Sequence, residues 1–248
     1  SIDPSFKDEL LDIYGNLNQK YSESINLISG PYLNTEYLGF FLGKNNLNTK
    51  SKKLRQAINY GINKTKMIKY LRNNIGNPAH FGFIPIGLTS DSVEGFKYNM
   101  EKSKRLLEEY KQESGNNKIQ LELSTDANYL DIMEYIQREL LELGIELKIN
   151  IMPPSSLRQA KSNGKLEMFR ASWIADYPDS ENYLSLFYSK NKAPNGPNYT
   201  HFINKKYDLL YLNSFKEKSK FEREKIYKQL DKMIIDEAPI IPLYYDQV

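Results

Sequence analysis

Between Ile119 and Met152 the chain reads strand, helix, strand, and the links are too short for anything but a crossover. Ile119 to Ser124 alternates apolar and polar residues, the period of a strand. Tyr129 to Leu143 sets Leu130, Met133, Ile136 and Leu140 at helical spacing, giving one apolar stripe. Gly144 ends that helix, and Ile145 to Met152 is a second strand. A strand that crosses over through a helix returns parallel to its start. This unit commits the chain to an α/β architecture. Ile119–Ser124, Ile145–Met152 and a further strand at Leu166–Ile174 are expected in one sheet, with the Tyr129–Leu143 helix on a face.

The flanking pattern adds elements without a clear linker or repeat. Ser5 to Gln19 carries a helical stripe of Leu10, Leu11, Ile13, Tyr14 and Leu17. Ile25–Ile28 and Tyr37–Leu42 read as strands, the second compact and buried, and Leu47–Ser51 as a polar connection. Lys53–Gly61 and Lys64–Arg72 form two short helices, and Gly76–Gly87 an apolar loop. Asn99–Ser114 is a charged helix with Gly115 as C-cap. After Pro153-Pro154, Ser155 is the expected N-cap of a helix reaching about Ser162. Ser180–Tyr188 is helical, Lys190–Asn198 a loop, Tyr207–Glu217 and Phe221–Asp236 a helical pair, and Pro239–Tyr245 a last strand. The expectation is one α/β domain over residues 1–248.

Composition narrows the function classes. The 248 residues include 34 basic and 31 acidic side chains, interleaved, which argues against a dedicated nucleic-acid surface. Cysteine is absent, so no disulfide, thiol nucleophile or cysteine metal site exists. His80 and His201 stand far apart, and neither a metal site nor a cofactor is expected. No run of about eighteen apolar residues suggests a membrane span. The N-terminus is polar, unlike a signal peptide.

Motifs for common chemistry are missing. Gly39 and Gly43 make no dinucleotide or P-loop pattern, and there is no G-x-S-x-G elbow. Asp176 and Asp179 follow an apolar strand. They read as a strand-end turn, as a glycosidase-like carboxylate pair, or as a carboxylate that receives a ligand cation. The last gains force because strand C-termini line ligand crevices in open α/β sheets. Trp173, the single tryptophan, is a pocket wall or a core residue. Tyr207 and Tyr211, at helical spacing, read as core or boundary residues.

Several stretches, in order, resemble the family 5 extracytoplasmic solute-binding proteins, receptors of oligopeptide and dipeptide ABC transporters. Tyr37-Leu38-Gly39-Phe40 resembles the strand opening the second lobe. Leu54-Arg55-Gln56-Ala57-Ile58-Asn59-Tyr60 with Ile62-Asn63-Lys64 resembles "vRqAlnyAiDre", with Gly61 for the usual Ala and Asn63 for the usual Asp. Gly76-Asn77-Pro78-Ala79 and the Pro85 segment follow in order. Lys102–Glu109 is similar to the family's "kAkkLLaeaG" helix, and Ile132–Gly144 to its "iq~~l~~iGI" helix. Trp173-Ile174-Ala175-Asp176-Tyr177-Pro178-Asp179 is similar to "W~aDYpDp", and Ala238-Pro239-Ile240-Ile241-Pro242-Leu243-Tyr244 to "aPiiPly". The likeness runs from Tyr37 to the end.

The resemblance implies a periplasmic-binding-protein type II-like lobe, a mixed sheet flanked by helices. It implies that this is the second lobe of a longer, two-lobed monomer, periplasmic or extracytoplasmic and lipid-anchored at full length. The implied role is non-catalytic peptide binding for ABC permease subunits. By the same resemblance Asp176 pairs with the peptide ammonium, Trp173 lines a side-chain pocket, and Arg170 meets the carboxylate of short peptides. The backbones of Ser172 and Ile174 would pair with the extended ligand. The alternatives are a non-peptide solute (a nickel complex, glutathione, a sugar or haem) or a glycosidase using Asp176 and Asp179.

Overall fold

The computed structural model describes residues 7–12, 14–43, 47–89 and 92–247, with residues 7, 8 and 47 described for backbone only. In chain order the elements are α1 (Lys7–Leu10), β1 (Pro31–Phe40), α2 (Leu47–Lys50), α3 (Lys52–Gly61), α4 (Lys64–Leu71), β2 (Asn77–Pro78) and α5 (Met100–Ser114). Then follow β3 (Ile119–Thr125), α6 (Leu130–Leu141), β4 (Ile145–Ile151), α7 (Pro154–Ser162), β5 (Met168–Ile174), α8 (Glu181–Leu184), α9 (Lys205–Ser214), α10 (Lys220–Glu237) and β6 (Ile240–Gln247).

The crossover unit forms as its pattern requires. β3 and β4 run parallel, from Ile119 opposite Ile145 to Thr125 opposite Ile151. Ile132, Met133, Ile136 and Leu140 of α6 are buried against Ile119, Leu121, Leu123, Ile145 and Leu147. Each such side chain contributes roughly 1.5–3 kcal/mol on burial. β5 joins β3 on the other side, also parallel. β1 then lies antiparallel to both β5 and β6, giving the order β2-β6-β1-β5-β3-β4. The sheet is therefore mixed, and helices cover both its faces. Leu38, Phe40 and Met168 face α3 to α6, while Tyr37, Phe169 and Ala171 face α7 to α10.

Asparagine and serine side chains start many of these helices. Ser51, Asn63, Asn99, Asn204 and Ser219 each accept a backbone N–H of the first turn. Asn63 therefore does the capping that an Asp would do. Gly61 also has a local reason: a Cβ there would stand 2.4 Å from Leu143 Cδ1. Arg55, buried, gives Nε to Ala238 O at 2.9 Å, Nη2 to Glu237 O at 2.7 Å and Nη1 to Thr49 O and Lys50 O. It satisfies carbonyls that the end of α10 leaves without partners. Burial pushes its guanidinium down to about 10.

Several expectations fail locally. The helix expected over Ser5–Gln19 is only Lys7–Leu10 where described, and Leu11 bridges Leu17. The Asp12 carboxylate accepts the N–H groups of Tyr14 and Asn16, and Gly15 takes φ +82, so a turn outcompetes the helix. The strand expected at Ile25–Ile28 does not form. The segment is coil, Ile28 is 87% exposed, and no strand pairs with it among the described residues. Leu47–Lys50 is a helical turn and not a plain connection, and Asn77–Pro78 pairs with β6 inside the expected loop. Ser155 does not cap α7. The helix begins at Pro154, whose missing N–H suits the first helical position, behind Pro153.

Candidate functional site

Backbone register selects the groups available at the end of β5. Ala175 N donates to Leu33 O and Phe41 N donates to Glu167 O, both at 2.9 Å, so the odd-numbered residues of β5 bond to β1. In an antiparallel ladder the alternate residues turn their N–H and C=O away. Arg170, Ser172 and Ile174 thus direct backbone groups toward the β3 side. There β3 meets β5 only at Leu123↔Met168 and Ser124↔Phe169 among the described pairs. Beyond Phe169 the edge carrying Ser172 and Ile174 has no strand beside it among the described residues, and Ile174 is 49% exposed.

Trp173, on the opposite face from Arg170, packs against the cluster of Tyr37, Phe169 and Ala171 and is only partly buried. Asn182, nearly fully buried at the start of α8, fixes it. The Asn182 amide oxygen accepts the indole N–H at 2.7 Å and the Asp176 backbone N–H at 3.3 Å. One oxygen thus sets both the aromatic wall and the start of the acidic turn. The Asp176 side chain is exposed. Asp179, part exposed, is engaged by the chain: it accepts the Glu181 N–H at 2.9 Å and stands 4.0 Å from Arg223. Glu181, buried, accepts hydrogen bonds from the hydroxyls of Tyr177 and Tyr211. The turn is therefore rigidly held on the α8–α10 side while Asp176 is left to solvent.

Arg170 lies on the other face. Its Nε donates to Glu36 Oε2 at 3.0 Å, and Nη2 donates to Oε1 and Oε2 at 2.7 and 2.6 Å. Asp126 Oδ2 is 3.8 Å from Nη1, and the guanidinium lies 3.4 Å from the Tyr129 ring centroid. The Glu36 side chain is only 4% exposed. Burial pushes its carboxyl above the usual range, and Arg170 pulls it part of the way back. Glu36, Asp126, Tyr129 and Asn182 escape the sequence reading. Glu36 adjoins the apolar run Tyr37–Leu42, and a carboxylate beside that buried strand was the available signal. For Asn182 spacing offers none. Surface depressions beside Lys52 and Gln56, and beside Gln120 and Glu146, touch none of these residues. A site open to solvent on one side is a surface, not a pocket.

Charged and aromatic groups gather here at the C-terminal ends of parallel strands, beside a strand edge that is unpaired among the described residues, the place where open α/β sheets form ligand crevices. The chain belongs to the bacterial extracellular solute-binding proteins, family 5, whose model, described as the middle region, matches residues 7–195. It is similar to the dipeptide-binding protein DppE of Bacillus subtilis, 27% identical over all of this chain and 45% of the relative. The dipeptide-binding protein of Escherichia coli is 26% identical over 92% of this chain and 43% of its own length. Among solved structures, the ABC transporter substrate-binding protein CtaP of Listeria monocytogenes superimposes with a TM-score of 0.82 at 27% identity, over all of this chain and 49% of that one. The chain thus spans about half the length of these relatives.

Proposed function

We propose that this chain is one lobe of a two-lobed extracytoplasmic receptor that binds peptides without altering them and delivers them to an ABC permease. Two relatives named for dipeptide binding and one named as a transporter's substrate-binding protein support the reading. The observation that carries it is the register of β5. Ser172 and Ile174 turn backbone groups to an edge that is unpaired among the described residues, two residues short of an exposed carboxylate. An extended peptide can pair with such an edge whatever its side chains, while Asp176 takes the ammonium and Trp173 walls a side chain. Asp179 is engaged by Glu181 and Arg223, which counts against a pair of catalytic carboxylates. The reading takes residues 1–248 as a single lobe, and the protein as a monomer anchored to the membrane by lipid.

The test is native mass spectrometry of the natural-length protein purified without denaturation. Mixed peptide masses released on unfolding are expected. A single non-peptide solute, such as a metal complex or haem, would overturn the peptide reading.

A further inference from the structure

Two part-buried guanidinium groups at this end of the sheet, those of Arg170 and Arg72, are engaged by the chain itself. Arg170 spends Nε and Nη2 on Glu36, keeps Nη1 near Asp126 and covers its plane with Tyr129. Arg72 donates Nη2 to Asp246 at 2.9 Å, Nη1 to the Tyr244 hydroxyl at 3.0 Å and Nε to Ile75 O at 3.1 Å. Asn34 joins the two pairs, donating Nδ2 to Glu36 Oε1 at 3.2 Å and to Asp246 Oδ2 at 3.4 Å. Three carboxylates therefore surround two guanidinium groups, with Asp176 exposed past the end of the same strand.

That balance bears on which end of a ligand is recognised. A ligand carboxylate arriving at Arg170 would find Nε and Nη2 already held bidentately by buried Glu36, with no ligand entropy to lose, and would reach only Nη1 unless it displaced Glu36. It would also approach Asp126, a like charge. A ligand ammonium meets the opposite field. We propose that Glu36 withholds Arg170 from the ligand, so that the receptor reads the amino end of a peptide and ignores whether its carboxyl end is free. The substrate class is then peptides with a free ammonium whose carboxyl end is free, amidated or extended. Glu36 is the residue that sets this specificity, and Arg170 is a positioning residue that holds the ends of β1 and β3 together. The inference rests on the peptide reading above.

The test is calorimetry on the natural-length protein with one tripeptide as free acid and as C-terminal amide. On wild type the two are expected to bind within about threefold of each other. Glu36→Gln releases the guanidinium, and the acid should then bind on the order of tenfold more tightly than the amide, about 1.4 kcal/mol. A wild-type protein that prefers the acid tenfold overturns the inference, as does a folded Glu36→Gln variant that keeps the wild-type ratio. Should Glu36→Gln not fold, Glu36→Leu with Arg170→Met removes both charges and should leave the acid-to-amide ratio unchanged. Selective loss of acid binding in that variant would place the carboxylate on Arg170 and overturn the inference. Binding of neither peptide form would sink the peptide reading itself, and this inference with it, a result separable from an acid preference.

Discussion

The Asn182 amide oxygen accepts the N–H of Trp173, the chain's single tryptophan, at 2.7 Å, and the same oxygen reaches the backbone N–H of Asp176. Asn182→Ala would leave a partly buried indole N–H without its acceptor, a loss of about 1–3 kcal/mol in local order. Trp173 is the one tryptophan of these 248 residues, so fluorescence excited selectively at tryptophan reads this position in the 248-residue chain. The expected outcome is a red-shifted emission and peptide affinity weakened by roughly tenfold, about 1.4 kcal/mol, with the denaturation midpoint lowered only modestly. Unchanged emission and affinity would mean that Asn182 does not hold the turn.

Arg55 offers a prediction about the fold. Its guanidinium donates to four backbone carbonyls drawn from the chain around Thr49 and the end of α10. Arg55→Met removes every one of these donors, two of which serve carbonyls of the buried residues Thr49 and Ala238, and should cost about 3 kcal/mol or more. Arg55→Lys can reach only part of the fan and should recover less than half of that. Urea denaturation followed by circular dichroism measures both; equal midpoints for wild type and Arg55→Met would remove Arg55 from the core's polar scaffold.

Asp231 gives stability a pH dependence. It is buried on α10, where it accepts the Phe83 N–H at 2.7 Å, and burial pushes its carboxyl up to about 7. The folded state therefore favours the protonated acid. Its contribution is fully present below about pH 4, the unfolded value, and is lost as pH rises to about 7. Asp231→Asn carries no ionisation penalty. Its stability relative to wild type should rise across about pH 4–7 and level off above. Denaturation at several pH values checks this, and parallel curves for the two proteins would contradict it.

The parts of the fold legible in the sequence are those that local pattern decides. Alternation at Ile119–Ser124, the stripe of α6 and the stop at Gly144 made the parallel pair readable. Gly115 takes the left-handed conformation of a C-cap at φ +67. Where side chains compete with the backbone, pattern misled: Asp12 turns the chain inside an apparent helical stripe, and Pro154 starts α7 without help from Ser155. The strand-end turn was visible through its residues, and the structure brings Trp173 and Asp176 onto one amide oxygen. The pairing of Arg170 with Glu36, 134 residues apart, was not legible, because long-range partners depend on strand order and not on spacing.

Asp176 carries the central claim, that the end of β5 receives a peptide ammonium. When a cleft closes over such a pair, removing one partner costs about 2–5 kcal/mol. Asp176→Ala should therefore weaken binding on the order of thirtyfold or more, and N-acetylating the peptide should cost wild type a similar factor. Calorimetry of both proteins with both peptides closes the cycle. The account predicts that the losses do not add, since each removes the same interaction. Fully additive losses would place the ammonium on another residue and contradict the assignment of Asp176.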